Sequence, residues 1–268
     1  TLQISSGLDH VFSINESFSN QIIIIAVITL IGLISVCLGL DYGIKKLSQV
    51  NMILATTLMV FIFVFGPTVF ILNALIQNFG SYINNLIESA TWTEVYQSSS
   101  WQNGWTLFFY TWWFAWAPFV SLFIARISFG RTIKEFIIGV LFVPSLIVFL
   151  WMGIFGNAAI FQVINETSQI NDIVNNNYTV ALFALFDVYP ISKIASIFSL
   201  ILIVTFFVTS SDSGALVASM LSSKSQTSIN DDSPIISRIT WAILLGILAG
   251  VLLFAGGLTA LQTSVVIL

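Results

Sequence analysis

Three tryptophans, Trp112, Trp113 and Trp116, fall within little more than one helical turn of the stretch TWWFAWAPFVSLFIARISFGRT, residues 111–132. On a helix, positions three and four apart share a face, so 112 with 116 and 113 with 116 build an aromatic wall. Indole faces suit a cation that has no N–H or O–H to donate, a trimethylammonium above all, at about 0.5–2 kcal/mol per contact. Core or lipid-facing packing would also use such rings. An interfacial belt explains them less well. Trp101 and Trp105 already suit the interface, and the cluster lies about two to three turns deeper. Pro118 follows and withholds a backbone donor from the preceding turn. At membrane depth a break there is tolerated where the freed carbonyls face protein or a water-filled cavity.

The second chemical constellation is FFVTSSDSGA, residues 206–215. Thr209, Ser210, Ser211, Asp212 and Ser213 follow one another inside an otherwise apolar run. An ionisable residue at that depth costs at least about 2.5 kcal/mol, which marks Asp212 as functional by default. Hydroxyl and carbonyl oxygens are the ligands a hard cation such as sodium takes. The plainer alternative is that the hydroxyls bond back to the carbonyls one turn earlier and Asp212 caps a helix end. Hydrolytic chemistry finds no support: there is no GxSxG, and the sole histidine is His10. No catalytic residue, no cofactor and no metal other than sodium are expected. Cys37 stands alone, so it forms no intrachain disulfide.

These residues need elements to hold them, and the composition says what kind. Hydrophobic residues make up 57% of the chain and charged residues 7%; the mean hydropathy is +0.98. A soluble domain carries roughly 25% charged residues, so this is an integral membrane protein. A net charge of -4 offers no basic footprint for nucleic acid. Apolar runs of about 20 residues fall at 21–40, 51–76, 105–127, 136–156, 192–219 and 238–258. Lys45 and Lys46 sit in the first link, Arg126, Arg131 and Lys134 around the third, and Lys224 and Arg238 beside the fifth. The links 77–104 and 157–191 have no basic residue, although Lys193 touches the end of the latter. This alternation puts the first, third and fifth links in the cytoplasm and residues 1–20 outside.

Within 77–104, Phe79, Tyr82, Ile83, Leu86 and Ile87 recur at helical spacing opposite Asn84, Asn85 and Glu88, which predicts an amphipathic helix on the outer interface. Sequons at Asn165 and Asn177 are expected by chance in so Asn-rich a stretch. Gly246 and Gly250 form a GxxxG that permits close helix packing. The chain opens on Thr1 and stops inside the apolar LQTSVVIL, which reads as an internal piece of a longer protein.

The segment GWTLFFYTWWFAWAPFVSLFIARISFGRTIKEF, 104–136, closely resembles the signature of the betaine/carnitine/choline transporter family. SVCLGLDYGIKKLSQVNMILA (35–55), GPTVFILN (66–73), VLFVPSLIVFLWMGIFG (140–156), FFVTSSDSGALV (206–217) and GGLTALQ (256–262) resemble further family segments, in family order. The resemblance implies an all-α polytopic bundle of the LeuT type, twelve membrane helices with an inverted repeat of five plus five. This chain would cover the sixth to the eleventh. Residues 1–76 would end the first repeat, 77–104 would hold the interfacial helix and loop, and 105–268 would form a truncated second repeat.

The family pattern carries over as a substrate site on Trp112, Trp113 and Trp116. It also implies a sodium site on Phe206, Thr209 and Ser210, with Asp212 and Ser213 as supporting residues. It implies a small quaternary ammonium substrate, sodium as the coupling ion and a homotrimer in the cell (inner) membrane. Phe129 stands where the family often has a basic residue, which lightens the cytoplasmic loop by one charge. The expected activity is sodium-coupled secondary transport of a compound such as glycine betaine by alternating access. The alternatives are a proton-coupled choline importer, a carnitine/butyrobetaine exchanger, or, from another class, an ion channel.

Overall fold

The structure, a computed structural model, describes residues 1–39, 43–97, 99–223 and 233–267, all of them in helices or the links between them. Lys224 of the charge argument, and residues 40–42 of the family-like segment 35–55, lie outside the described residues. In hydrocarbon every backbone group must be satisfied within the segment, which leaves the helix as the local solution for these apolar runs. The order is α1 (Leu2–Phe12), α2 (Phe18–Gly39), α3 (Lys45–Phe65), α4 (Thr68–Thr91) and α5 (Phe108–Ile127), the last entered through a π-helical turn, Gln102–Leu107. Then come α6 (Ile133–Ile137), a π-helical turn Ile138–Phe142, α7 (Val143–Ile164), and the short α8 (Ile170–Asn176) and α9 (Ala181–Phe186). The long α10 (Ser192–Ser222), α11 (Ile235–Phe254) and α12 (Leu258–Ile267) complete the described chain.

Among the described residues, six stretches are long and apolar enough to cross a membrane: Phe18–Leu38, Lys45–Phe65, Gln102–Ile127, Ile133–Ile164, Ser192–Ser222 and Ile235–Phe254. The protein is therefore a multi-pass membrane protein. The second span differs from the expected 51–76. It begins at Lys45 and stops at Phe65, because Gly66 turns extended (φ -87°, ψ -169°) and Pro67 cannot continue the ladder. The Thr68 hydroxyl donates to the Phe63 carbonyl at 2.6 Å, taking up one acceptor freed by the break. α4 then runs without interruption through Thr91, so the amphipathic stretch after residue 77 is the second half of one longer helix.

α10 is the hub. It packs against α11, α2 and α3 and also touches α1, α5 and α9. α4 lies antiparallel on α7, with Phe70 against Phe161 at 5.2 Å and Tyr82 against Phe149 at 5.6 Å. Leu75 of α4 fits where Gly153 of α7 has no side chain. Between these groups sits the largest buried apolar cluster, including Leu58, Ile62, Ile71, Phe155, Phe186 and Leu202. Of the GxxxG pair, Gly246 abuts Thr29 of α2, whereas Gly250 has nothing within 4 Å of a notional Cβ.

Candidate functional site

α5 carries the aromatic cluster and buries none of its residues. Trp113 and Trp116 meet edge to face with centroids 5.3 Å apart. Trp112 stacks on Phe109 at 6.0 Å, and Phe109 stacks on Trp105 at 6.1 Å. Phe109, Trp112, Trp113 and Trp116 together line one recess of about 230 Å³. Ligand sites for drug-sized molecules run to about 300–1,000 Å³, so this recess suits a group of a few heavy atoms. Every lining residue belongs to α5, and the tryptophans are 47%, 60% and 43% exposed, so the recess is a wall open on one side. The structure thus brings all three expected tryptophans together and adds Phe109. The signal for Phe109 is in the sequence: 109, 112, 113 and 116 are the i, i+3, i+4 and i+7 positions of one helical face.

No break occurs at Pro118. α5 is continuous from Phe108 to Ile127, and the Pro118 carbonyl accepts from the Ser121 hydroxyl at 2.9 Å. The helix irregularity lies instead in the π-helical turn ahead of the cluster. The end of the family-like segment has a local explanation. Gly130 adopts φ +80°, which an L side chain resists, and Thr132 with Glu135 forms a capping box that starts α6.

On α10, the Thr209 hydroxyl donates to the Phe206 carbonyl at 2.8 Å and accepts from Asn51 Nδ2 of α3 at 3.2 Å. Thr209 is buried, while Phe206 and Ser210 are exposed. The Ser213 hydroxyl donates to the Thr209 carbonyl at 2.9 Å, the back-bonding pattern of a helix-embedded serine. The Thr209 hydroxyl and the Phe206 carbonyl are thus neighbours, while Ser210 lies on the exposed side of α10. Asp212 points elsewhere. It is buried against Gly32 and Ser35 of α2, whereas Thr209 meets Asn51 of α3. Asn51 and Ser35 were not singled out from sequence; their one signal is a polar side chain inside a membrane helix.

A family model described as betaine/carnitine/choline family transporter matches residues 1–268. The chain is 42% identical over 265 residues to a glycine betaine transporter of Acinetobacter baylyi, covering 98% of this chain and 39% of that protein. It is 40% identical over 261 residues to a glycine betaine/proline/choline/ectoine transporter of Vibrio parahaemolyticus, covering 97% and 45% respectively. It is 40% identical over 268 residues to a glycine betaine transporter of Bacillus subtilis, covering 99% and 51%. The chain therefore spans about half the length, or less, of these relatives.

Proposed function

The chain belongs to the betaine/carnitine/choline transporter family, and we propose that the whole protein is a secondary active transporter of a quaternary ammonium compound such as glycine betaine. The observation that carries this reading is the recess walled by Phe109, Trp112, Trp113 and Trp116. A trimethylammonium group offers no hydrogen bond and is attracted to ring faces. Rings from a facing element would close the wall into a cage. The names of the relatives support the same substrate class.

Transport is coupled to sodium in this proposal, through the Thr209 and Ser210 hydroxyls and the Phe206 carbonyl. One bundle rocks against the other around the bound substrate, in the alternating-access manner of transporters built on repeats. The protein works as a homotrimer in the cell (inner) membrane, with residues 1–20 outside. No chemical step on the substrate is involved.

Reconstitution of the full-length protein in liposomes tests the reading. Labelled glycine betaine should accumulate only with an inward sodium gradient. Thr209→Ala combined with Ser210→Ala should raise the half-saturating sodium concentration roughly tenfold, equivalent to about 1.4 kcal/mol. An unchanged sodium requirement in the double variant removes these residues from the ion site. Uptake that follows a proton gradient instead assigns the coupling to protons.

A further inference from the structure

We propose that Tyr189 is the latch of an outer lid made by α8 and α9: its ring, lodged at the break between α3 and α4, holds the lid shut, and the left-handed backbone of Ile191 is the strained joint that helps it reopen. The inference goes beyond the transport reading, because it concerns a motion that needs neither substrate nor sodium. The lid is the stretch between α7 and α10. Its two ends hang on one side chain of α7. Gln162 Nε2 donates to the Leu185 carbonyl at 3.0 Å, and the Ser168 hydroxyl donates to Gln162 Oε1 at 2.9 Å. α1 ties the lid from another side, through Ser6 with Thr179 at 2.5 Å and His10 with Asp187 at 3.1 Å.

The side of the lid that faces α3 is held differently. Ala184, Leu185 and Phe186 share one buried apolar cluster with Leu58 and Ile62 of α3. Among the described residues no hydrogen bond joins the lid to α3 or α4. An apolar seam of this kind parts without stranding a donor or an acceptor. Tyr189 closes the end of the seam. Its ring meets Phe61 of α3 edge to face at 6.4 Å, as Phe186 does at 6.2 Å. Its hydroxyl lies over Gly66, where a Cβ would stand 3.4 Å from the oxygen. The break between α3 and α4 is thus a notch that admits the phenol.

The seat is imperfect in one respect. The Tyr189 hydroxyl is buried and faces Gln162, whose amide is already engaged, and it makes no hydrogen bond of proper geometry. A buried hydroxyl without a partner opposes its own burial, because water would satisfy it. Phe would fill the same space without that cost, so Tyr gives a seat that can be left. Ile191 adds to the same bias. It holds φ 55° and ψ 30°, a region unfavourable for a β-branched side chain, while its carbonyl accepts the amides of Ile194 and Ala195 at the start of α10. Its side chain is exposed, so no packing keeps it there. What keeps it there is the seated Tyr189 two residues earlier, joined through Pro190, whose φ is fixed. Departure of Tyr189 lets Ile191 relax.

Thiol labelling of the full-length protein, without substrate or sodium, tests the latch. In a cysteine-free background, Ala184→Cys places a thiol at a position buried under the lid. Its rate of reaction with an impermeant reagent, on intact cells and on inside-out vesicles, reports lid opening. Tyr189→Ala should speed labelling at least about tenfold. Tyr189→Phe, which removes only the stranded oxygen, should slow it about fivefold or more. Ile191→Asn, which accepts left-handed backbone with less strain, should slow it about threefold. Rates are compared on equal amounts of folded protein, and if Tyr189→Ala fails to fold the two conservative variants decide. A Tyr189→Phe variant labelled as fast as the wild type, or faster, overturns the proposal, because the hydroxyl then secures the lid or does nothing. Unchanged labelling in Ile191→Asn overturns the strained joint. The ranking is the same whichever side the reagent enters from, so an inverted orientation or a failed transport reading leaves it readable.

Discussion

At the scale of single residues, what matters is whether the α5 rings act as faces or as bulk. Trp113 and Trp116 are 60% and 43% exposed, so neither is fixed by a core it must fill. In the full-length protein, Trp113→Phe or Trp116→Phe should weaken apparent betaine affinity moderately, because a face with a weaker quadrupole remains. The Leu variants should weaken it about 10-fold or more, equivalent to at least about 1.4 kcal/mol. Phe109→Leu should likewise weaken affinity, since Phe109 is a wall of the same recess. Affinity measured on equal amounts of folded protein decides. Equal losses for the Phe and Leu variants would make the rings packing residues.

At the scale of elements, the approach of α11 to α2 rests on a small residue at one position. Gly246 abuts the Thr29 side chain, and Gly250 faces open space one turn later. Gly246→Val should therefore destabilise the bundle by about 1–3 kcal/mol, the usual cost of overpacking. Gly250→Val should leave thermal stability in detergent unchanged within about 0.5 kcal/mol. Comparable loss in both variants would show that helix propensity, not the α2 contact, sets the cost. The break between α3 and α4 has an equally local cause in Gly66 and Pro67. It also explains why an apolar run of 26 residues, 51–76, is split between two helices.

At the scale of the whole molecule, the ends of the helices sort the charges. Arg126 at the end of α5 reaches Met220, and Trp241 at the start of α11 reaches Ser222, so these termini gather at one end of the bundle. His10 meets Asp187 at 3.1 Å, joining α1 to the link after α9. A cysteine placed within 162–178 should be labelled by an impermeant thiol reagent on intact cells, and one within 128–133 should not. The reverse pattern would invert the orientation. The bundle also divides into a buried and an unburied part. α10 is enclosed by α2, α3 and α11, while α5 buries no residue.

The class of the protein and most of its spans were legible in the sequence, because apolar run length is a local property that the bilayer reads directly. The shared face of Trp112, Trp113 and Trp116 was legible for the same reason: helical periodicity places residues relative to one another without reference to the rest of the chain. The end of the second span was misplaced, since hydropathy continues across Gly66–Pro67 while the backbone does not. Only the tertiary structure decided what each face meets. Thr209 finds Asn51, 158 residues away in sequence, and Asp212 turns instead to Gly32 and Ser35 on α2. Sequence spacing put Thr209 and Asp212 three residues apart and read them as one patch. A periodicity fixes the angle between two side chains but not which helix lies across from each, because that depends on the packing of the whole bundle.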